Sequence, residues 1–97
     1  MAGYIVLGKY TKKGLERLKE VPELIKGHRA SREKMGIRLV GTWSTMGEYD
    51  YVSVYDAPDD QTMATSLLMT GMAGLVTTQT MRALSEEEFA QVVSKLP

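Results

Sequence analysis

The sequence predicts an α+β domain: a four-stranded antiparallel sheet with two helices on one face, followed by a C-terminal helix. Three observations predict it. Short runs rich in valine, tyrosine and threonine alternate with segments whose apolar residues recur every three to four positions. Two of the strand-like runs stand close together around Gly47-Glu48-Tyr49-Asp50, close enough to pair as a tight hairpin. At 97 residues, with 43% apolar and 25% charged, the chain is sized for one core, read here as a single domain over 1–97.

Taken in order, Tyr4 to Tyr10 (YIVLGKY) is a β-rich run closed by Thr11-Lys12-Lys13-Gly14, a first strand and its turn. From about Leu15 the period becomes helical, and Leu18, Val21, Ile25, His28, Arg32 and Met35 share one face. Pro22 inside this pattern predicts a kink or the start of a second helical segment, and Gly36 a stop. Ile37 to Met46 and Tyr49 to Tyr55 read as the two hairpin strands. Ala57-Pro58-Asp59-Asp60 ends the second of them and offers an N-cap. Met63, Leu67, Leu68 and Met72 then mark a second helix, closed by Gly71 or Gly74. Leu75 to Leu84 is a threonine-rich strand, which completes a core over 4–84. Ser85 and Glu88 form a capping box that opens a tail helix over 85–96. The order β-α-β-β-α-β is the split βαβ, or ferredoxin-like, arrangement.

Composition excludes several function classes. There is no cysteine and one histidine, so a thiolate or histidine-rich metal site within one chain is excluded. No apolar run approaches the roughly 20 residues of a bilayer-crossing helix, and Met1-Ala2-Gly3 lacks a signal-peptide layout, so a cytoplasmic location is expected. Charge balances overall but not locally: residues 1–46 carry +6 and residues 47–97 carry −6. Glu16, Glu20, Glu23 and Glu33 interrupt the basic half, which argues against a nucleic-acid face. The RNA-binding fold of the same strand order is excluded too, because Glu48 and Asp50 put negative charge where phosphates would lie. No membrane partner and no cofactor is expected.

The strands do not alternate cleanly between apolar and polar. Ile5 and Leu7 oppose Tyr4, Val6 and Tyr10; Val52 and Val54 oppose Tyr51 and Tyr55; Ile37, Leu39 and Trp43 oppose Val40 and Met46. Two helices cover one face only, so the other needs a cover, and a second copy of the same face is the economical one. A homodimer or larger assembly is therefore expected.

With these elements placed, the chain resembles the GYD-domain proteins, a family of small bacterial proteins, from Tyr4 to about Phe89. The resemblance lies in an ordered set of residues. It runs through Tyr10-Thr11, Gly14 and Pro22, then Gly47-Glu48-Tyr49-Asp50 with its alternating valines. Ala57-Pro58-Asp59-Asp60, Gly74-x-Val76 and Arg82-Ala83 before an acidic helix start complete it. It implies a ferredoxin-like protomer of the dimeric α/β-barrel kind and no activity. Effector-binding domains of leucine-responsive transcription regulators carry a similar hairpin, and cofactor-independent monooxygenases and small isomerases share the architecture. A signature found beside such different functions reads as structural.

On that reading Gly47 supplies a turn conformation, Asp50 accepts turn amides, and Tyr49 packs on a neighbouring strand or partner chain. The candidate ligand site is elsewhere. His28 and Arg32 point from the first helix towards the sheet, with Tyr10 and Trp43 as walls of a pocket. The plain alternative, a histidine at the edge of the core, is the better supported of the two by spacing alone. Met63, Met69, Met72 and Met81 read as core filler or as an adaptable pocket lining. Ser44, Ser53 and Ser66 lack a nucleophile setting. The functional expectation is an oligomeric, non-catalytic module that binds a small hydrophobic molecule or a protein. Behind it stand a cofactor-independent monooxygenase or isomerase acting on a hydrophobic or aromatic compound, and a purely structural assembly unit.

Overall fold

A computed structural model describes all residues from 1 to 97. Strand β1 (Ala2–Tyr10) leads into a short helix α1 (Lys12–Glu16), capped by the Thr11 hydroxyl accepting the Gly14 amide at 3.1 Å. The helical stretch read from periodicity is not continuous. One 3₁₀ turn at Leu18–Glu20 separates α1 from α2 (Val21–Glu33), and Pro22 sits in the first turn of α2, where its missing N–H leaves no bond unmade. Gly36, at φ +79°, ends this unit and returns the chain to the sheet.

Strands β2 (Arg38–Ser44) and β3 (Tyr51–Ala57) form an antiparallel pair. Their connection is longer than the tight hairpin expected: residues 45–50 form an irregular loop. The Thr45 amide donates to the Asp50 carbonyl at 2.9 Å, and the Thr45 hydroxyl donates to the Tyr49 carbonyl at 2.6 Å. Gly47 takes φ +126° at the bend, so its turn role is conformational. Helix α3 (Asp60–Met72) follows, with the Asp59 carboxylate accepting the Thr62 amide at 2.8 Å. Gly71 is helical, and Gly74, at φ +75°, closes the turn into β4 (Val76–Ala83). Helix α4 (Glu86–Ser94) opens on the Ser85–Glu88 capping box, both bonds of which are present at 3.1 Å.

The sheet order is β2-β3-β1-β4, every neighbouring pair antiparallel, which is the ferredoxin-like topology. Register sets the faces. Tyr4 and Val6 of β1 face the helices with Tyr55 and Ser53 of β3, and with Ile37, Ala57 and Met63 they make the buried core. Ile5, Leu7, Val52, Val54 and Met81 lie on the other face, which no helix of the chain covers. One irregularity matters. Leu39 pairs with Tyr55 but Gly41, not Val40, pairs with Val54, so β2 carries a bulge of one extra residue.

The chain buries little of itself. Only 11 of 97 residues are buried. The exposed area is 6828 Å², against about 5,500 Å² for a compact monomer of this mass. Helix α4 contributes, because it packs little against the other elements and leaves Phe89, Val92, Val93 and Leu96 exposed.

Candidate functional site

Between α2, α3 and the helix-facing side of the sheet lies a cavity of about 580 Å³. Helical spacing brings His28 and Arg32 of α2 into it, one turn apart, and Tyr10 enters from the end of β1. Tyr51 lies beside Tyr10, ring centres 6.0 Å apart, over Gly8; a Cβ on Gly8 would stand 2.0 Å from the Tyr51 ring. Val6, Leu39, Met63, Leu67 and Met69 supply apolar wall. Of the four methionines read as a group, Met63 and Met69 reach the cavity, and Met72 and Met81 do not.

Trp43 is not part of this wall. It pairs with Val52 on the uncovered face, 57% exposed, with its ring folded back over Gly41. Simple alternation places Leu39 and Trp43 on one face; the bulge at Val40–Gly41 inserts a residue between them and reverses the sense of everything after it. Thr42 and Ser44 line the cavity instead.

The polar groups of the cavity are largely uncharged. His28 Nε2 lies 3.1 Å from the Tyr55 hydroxyl, the rings edge to face. Burial, reinforced by the Arg32 charge, lowers the His28 pKa to about 4, so the ring is neutral at pH 7. Burial raises the Tyr55, Tyr51 and Tyr10 hydroxyls above the ordinary tyrosine value, in Tyr10 with help from Asp50. The exceptions are Arg17, which is paired with Glu20, and the buried Arg32. Arg32 is 6% exposed, and its guanidinium meets only neutral oxygens: Nε donates to Ser66 Oγ at 2.7 Å, Nη1 to Ser31 Oγ at 3.1 Å, and Nη2 to Ser66 O at 3.3 Å and Thr70 Oγ1 at 3.0 Å. Ser66, weighed in the sequence only as a nucleophile, and Thr70, one turn on along α3, gave no sign of this role, because a serine-threonine pair at that spacing signals nothing until a buried cation faces it.

The hairpin signature does not line the cavity and has a structural job. Asp50 Oδ2 accepts the Tyr10 amide at 2.8 Å, and the Asp50 amide donates to the Gly8 carbonyl at 2.8 Å, which extends the β3–β1 pairing past Tyr51. The Tyr49 hydroxyl donates to Gln79 Oε1 of β4 at 2.7 Å, and Lys9 Nζ lies 5.2 Å from the centre of the Tyr49 ring. No group of three His, Asp or Glu side chains is arranged to hold a metal ion, and no helix is long and apolar enough to cross a membrane.

Topology and site together define a ferredoxin-like α+β protein with an apolar cavity under its helices and an uncovered opposite face. More narrowly, the chain belongs to the GYD-domain family, whose pattern it matches over residues 4–93. It is similar to a Thermus thermophilus protein, the glutamine synthetase and cystathionine beta-lyase binding protein. The two are 36% identical over 85 residues, covering 87% of this chain and 90% of the relative.

Proposed function

We propose that this chain is a non-catalytic, self-associating module that docks onto other proteins. The observation that carries the reading is its surplus of exposed surface, about 1,300 Å² above the expectation for a compact monomer. Much of that surface is apolar, in two places. Ile5, Leu7, Trp43, Val52, Val54 and Met81 lie on the uncovered sheet face, and α4 carries the Phe89, Val92, Val93 and Leu96 stripe. Pairing two copies through these surfaces would bury an area in the range of about 2,000–5,000 Å² typical of stable homodimers. The half-buried valines, with Trp43 beside them on the edge strand, suit a sheet-on-sheet contact.

The name of the Thermus relative supports a protein partner in general, since that protein is named for binding two enzymes. The enzyme reading has the cavity in its favour but lacks a proton-transfer group of matching strength: no carboxylate lines it, and His28 is hydrogen-bonded to Tyr55. Native mass spectrometry of the protein from its own host tests the proposal. A dimer or higher assembly, with a co-purifying protein in stoichiometric amount, is the expected result. A monomer at micromolar concentration, free of any partner, overturns it.

A further inference from the structure

The cavity carries an assignment beyond protein docking. Among its lining residues are two charged side chains, both arginines, and no aspartate or glutamate. Arg17 already holds a carboxylate, with Nε 2.9 Å from Glu20 Oε2. Arg32 holds none, although it is the more deeply buried of the two. A buried guanidinium with no counter-charge is costly, because neutral acceptors satisfy its N–H groups without neutralising its charge. Of its five N–H groups, four are engaged by Ser31, Ser66 and Thr70, which leaves one on Nη1 uncommitted. The other lining groups add no negative charge, since Tyr55, Tyr51 and Tyr10 hold their protons and His28 is neutral.

From the buried, unpaired Arg32 in the lining of a largely apolar cavity of about 580 Å³, we infer that the cavity is a binding site for an amphipathic carboxylate, an acid with a single anionic head and an alkyl or aryl body. The volume lies within the roughly 300–1,000 Å³ of sites that enclose small molecules. A carboxylate suits Arg32 because it accepts charge-assisted hydrogen bonds from a planar fork. The Ser66 hydroxyl, which accepts from Arg32 Nε, keeps its own hydrogen to donate. Val6, Leu39, Met63, Leu67 and Met69 take the body, and the two methionines adapt to its shape. A dication or a polyanion is disfavoured: the first by Arg32 and the second by the single unpaired positive charge.

The inference is independent of self-association, because the cavity lies on the helix side of the sheet and the uncovered face on the other. Calorimetric titration of the intact protein with sodium decanoate, decanol and decylammonium, below their aggregation concentrations, tests it. Decanoate should bind one per chain, about ten- to a hundred-fold more tightly than decanol, with decylammonium weaker than either. Arg32→Gln should bring decanoate and decanol to within about two-fold of each other, by removing only the charge-assisted part. Leu67→Trp, which fills the cavity and leaves Arg32 in place, should abolish binding of both. The wild-type comparison stands even if Arg32→Gln fails to fold. Equal affinity for decanoate and decanol, preference for decylammonium, or no binding of decanoate at millimolar concentration would each overturn the assignment.

Discussion

Asp50 Oδ2 accepts the backbone amide of Tyr10 at 2.8 Å, so the carboxylate of the hairpin loop finishes a ladder that the β3 backbone has already left. Tyr10 is the last residue of β1 and a wall of the cavity, and this bond fixes where its ring stands. The signature residue thus acts on the site through the backbone rather than by chemistry of its own.

Asp50→Ala should lower stability by about 2 kcal/mol, since it removes a charge-assisted bond and leaves an amide without its acceptor. For a chain of this length that is a fall of about 10 °C in melting temperature. Asp50→Asn, which keeps a carbonyl acceptor, should recover part of it. Thermal melts followed by circular dichroism measure both, and an unchanged melting temperature in the alanine variant contradicts the role.

Gly14 and Gly27 should respond oppositely to alanine. A Cβ on Gly14 would stand 2.0 Å from the Leu75 carbonyl oxygen, a backbone atom that cannot swing aside, because α1 is docked there by the Thr11 amide bonding Leu75 O at 3.0 Å. Gly14→Ala should therefore destabilise by about 2 kcal/mol or more. Gly27 sits exposed within α2, where an added methyl group would meet nothing within 4 Å. Gly27→Ala should stabilise by about 0.5–1 kcal/mol. Urea midpoints decide the matter, and equal effects at the two sites would contradict it.

His28 makes stability depend on pH in a defined window. Its pKa is about 4 when folded, and the ordinary value when unfolded is 6.5. Between these values the unfolded chain binds the extra proton, so stability is lost as pH falls from 6.5 towards 4 and levels off below. The groups bearing on the ring are Arg32, whose charge opposes protonation, and the neutral Tyr55 hydroxyl. Allowing for the partial exposure of the ring, the loss is about 2 kcal/mol. His28→Gln should flatten the profile across this window in urea titrations, and a variant that retains the full slope would assign it to other groups.

Trp43→Glu should weaken self-association strongly, because it places a charge on the face proposed to pair. Light scattering at micromolar concentration should show a shift towards the monomer, with the circular dichroism spectrum unchanged. Decanoate binding should survive, since Trp43 does not line the cavity. A variant as fully assembled as the parent would move the interface elsewhere, with the α4 stripe of Phe89 and Val93 the next surface to alter.

The order of elements was legible in the sequence because it rests on local rules. A run of β-favouring residues marks β1, Asp59 and Ser85 cap helices by bonds three residues long, and glycines at 36 and 74 take left-handed turns. The same rules placed His28 and Arg32 on one helix face, since residues four apart on a helix must be neighbours. They misplaced Trp43, because the bulge at Val40–Gly41 depends on pairing with β3, and one inserted residue reverses a strand's faces. They predicted too tight a hairpin, because the loop's length is set by Asp50 reaching Tyr10 and Gly8 across to another strand. What the sequence determined alone is the chain of helices and strands, its family and the presence of one arginine on an apolar face. Whether that arginine would meet a carboxylate was settled only when α3 packed opposite α2. Ser66 and Thr70 arrive there from 34 and 38 residues away, bringing hydrogen-bond acceptors and no charge. Local periodicity carries no information on what stands across a gap, and it is the tertiary packing that leaves Arg32 buried, bonded and unneutralised.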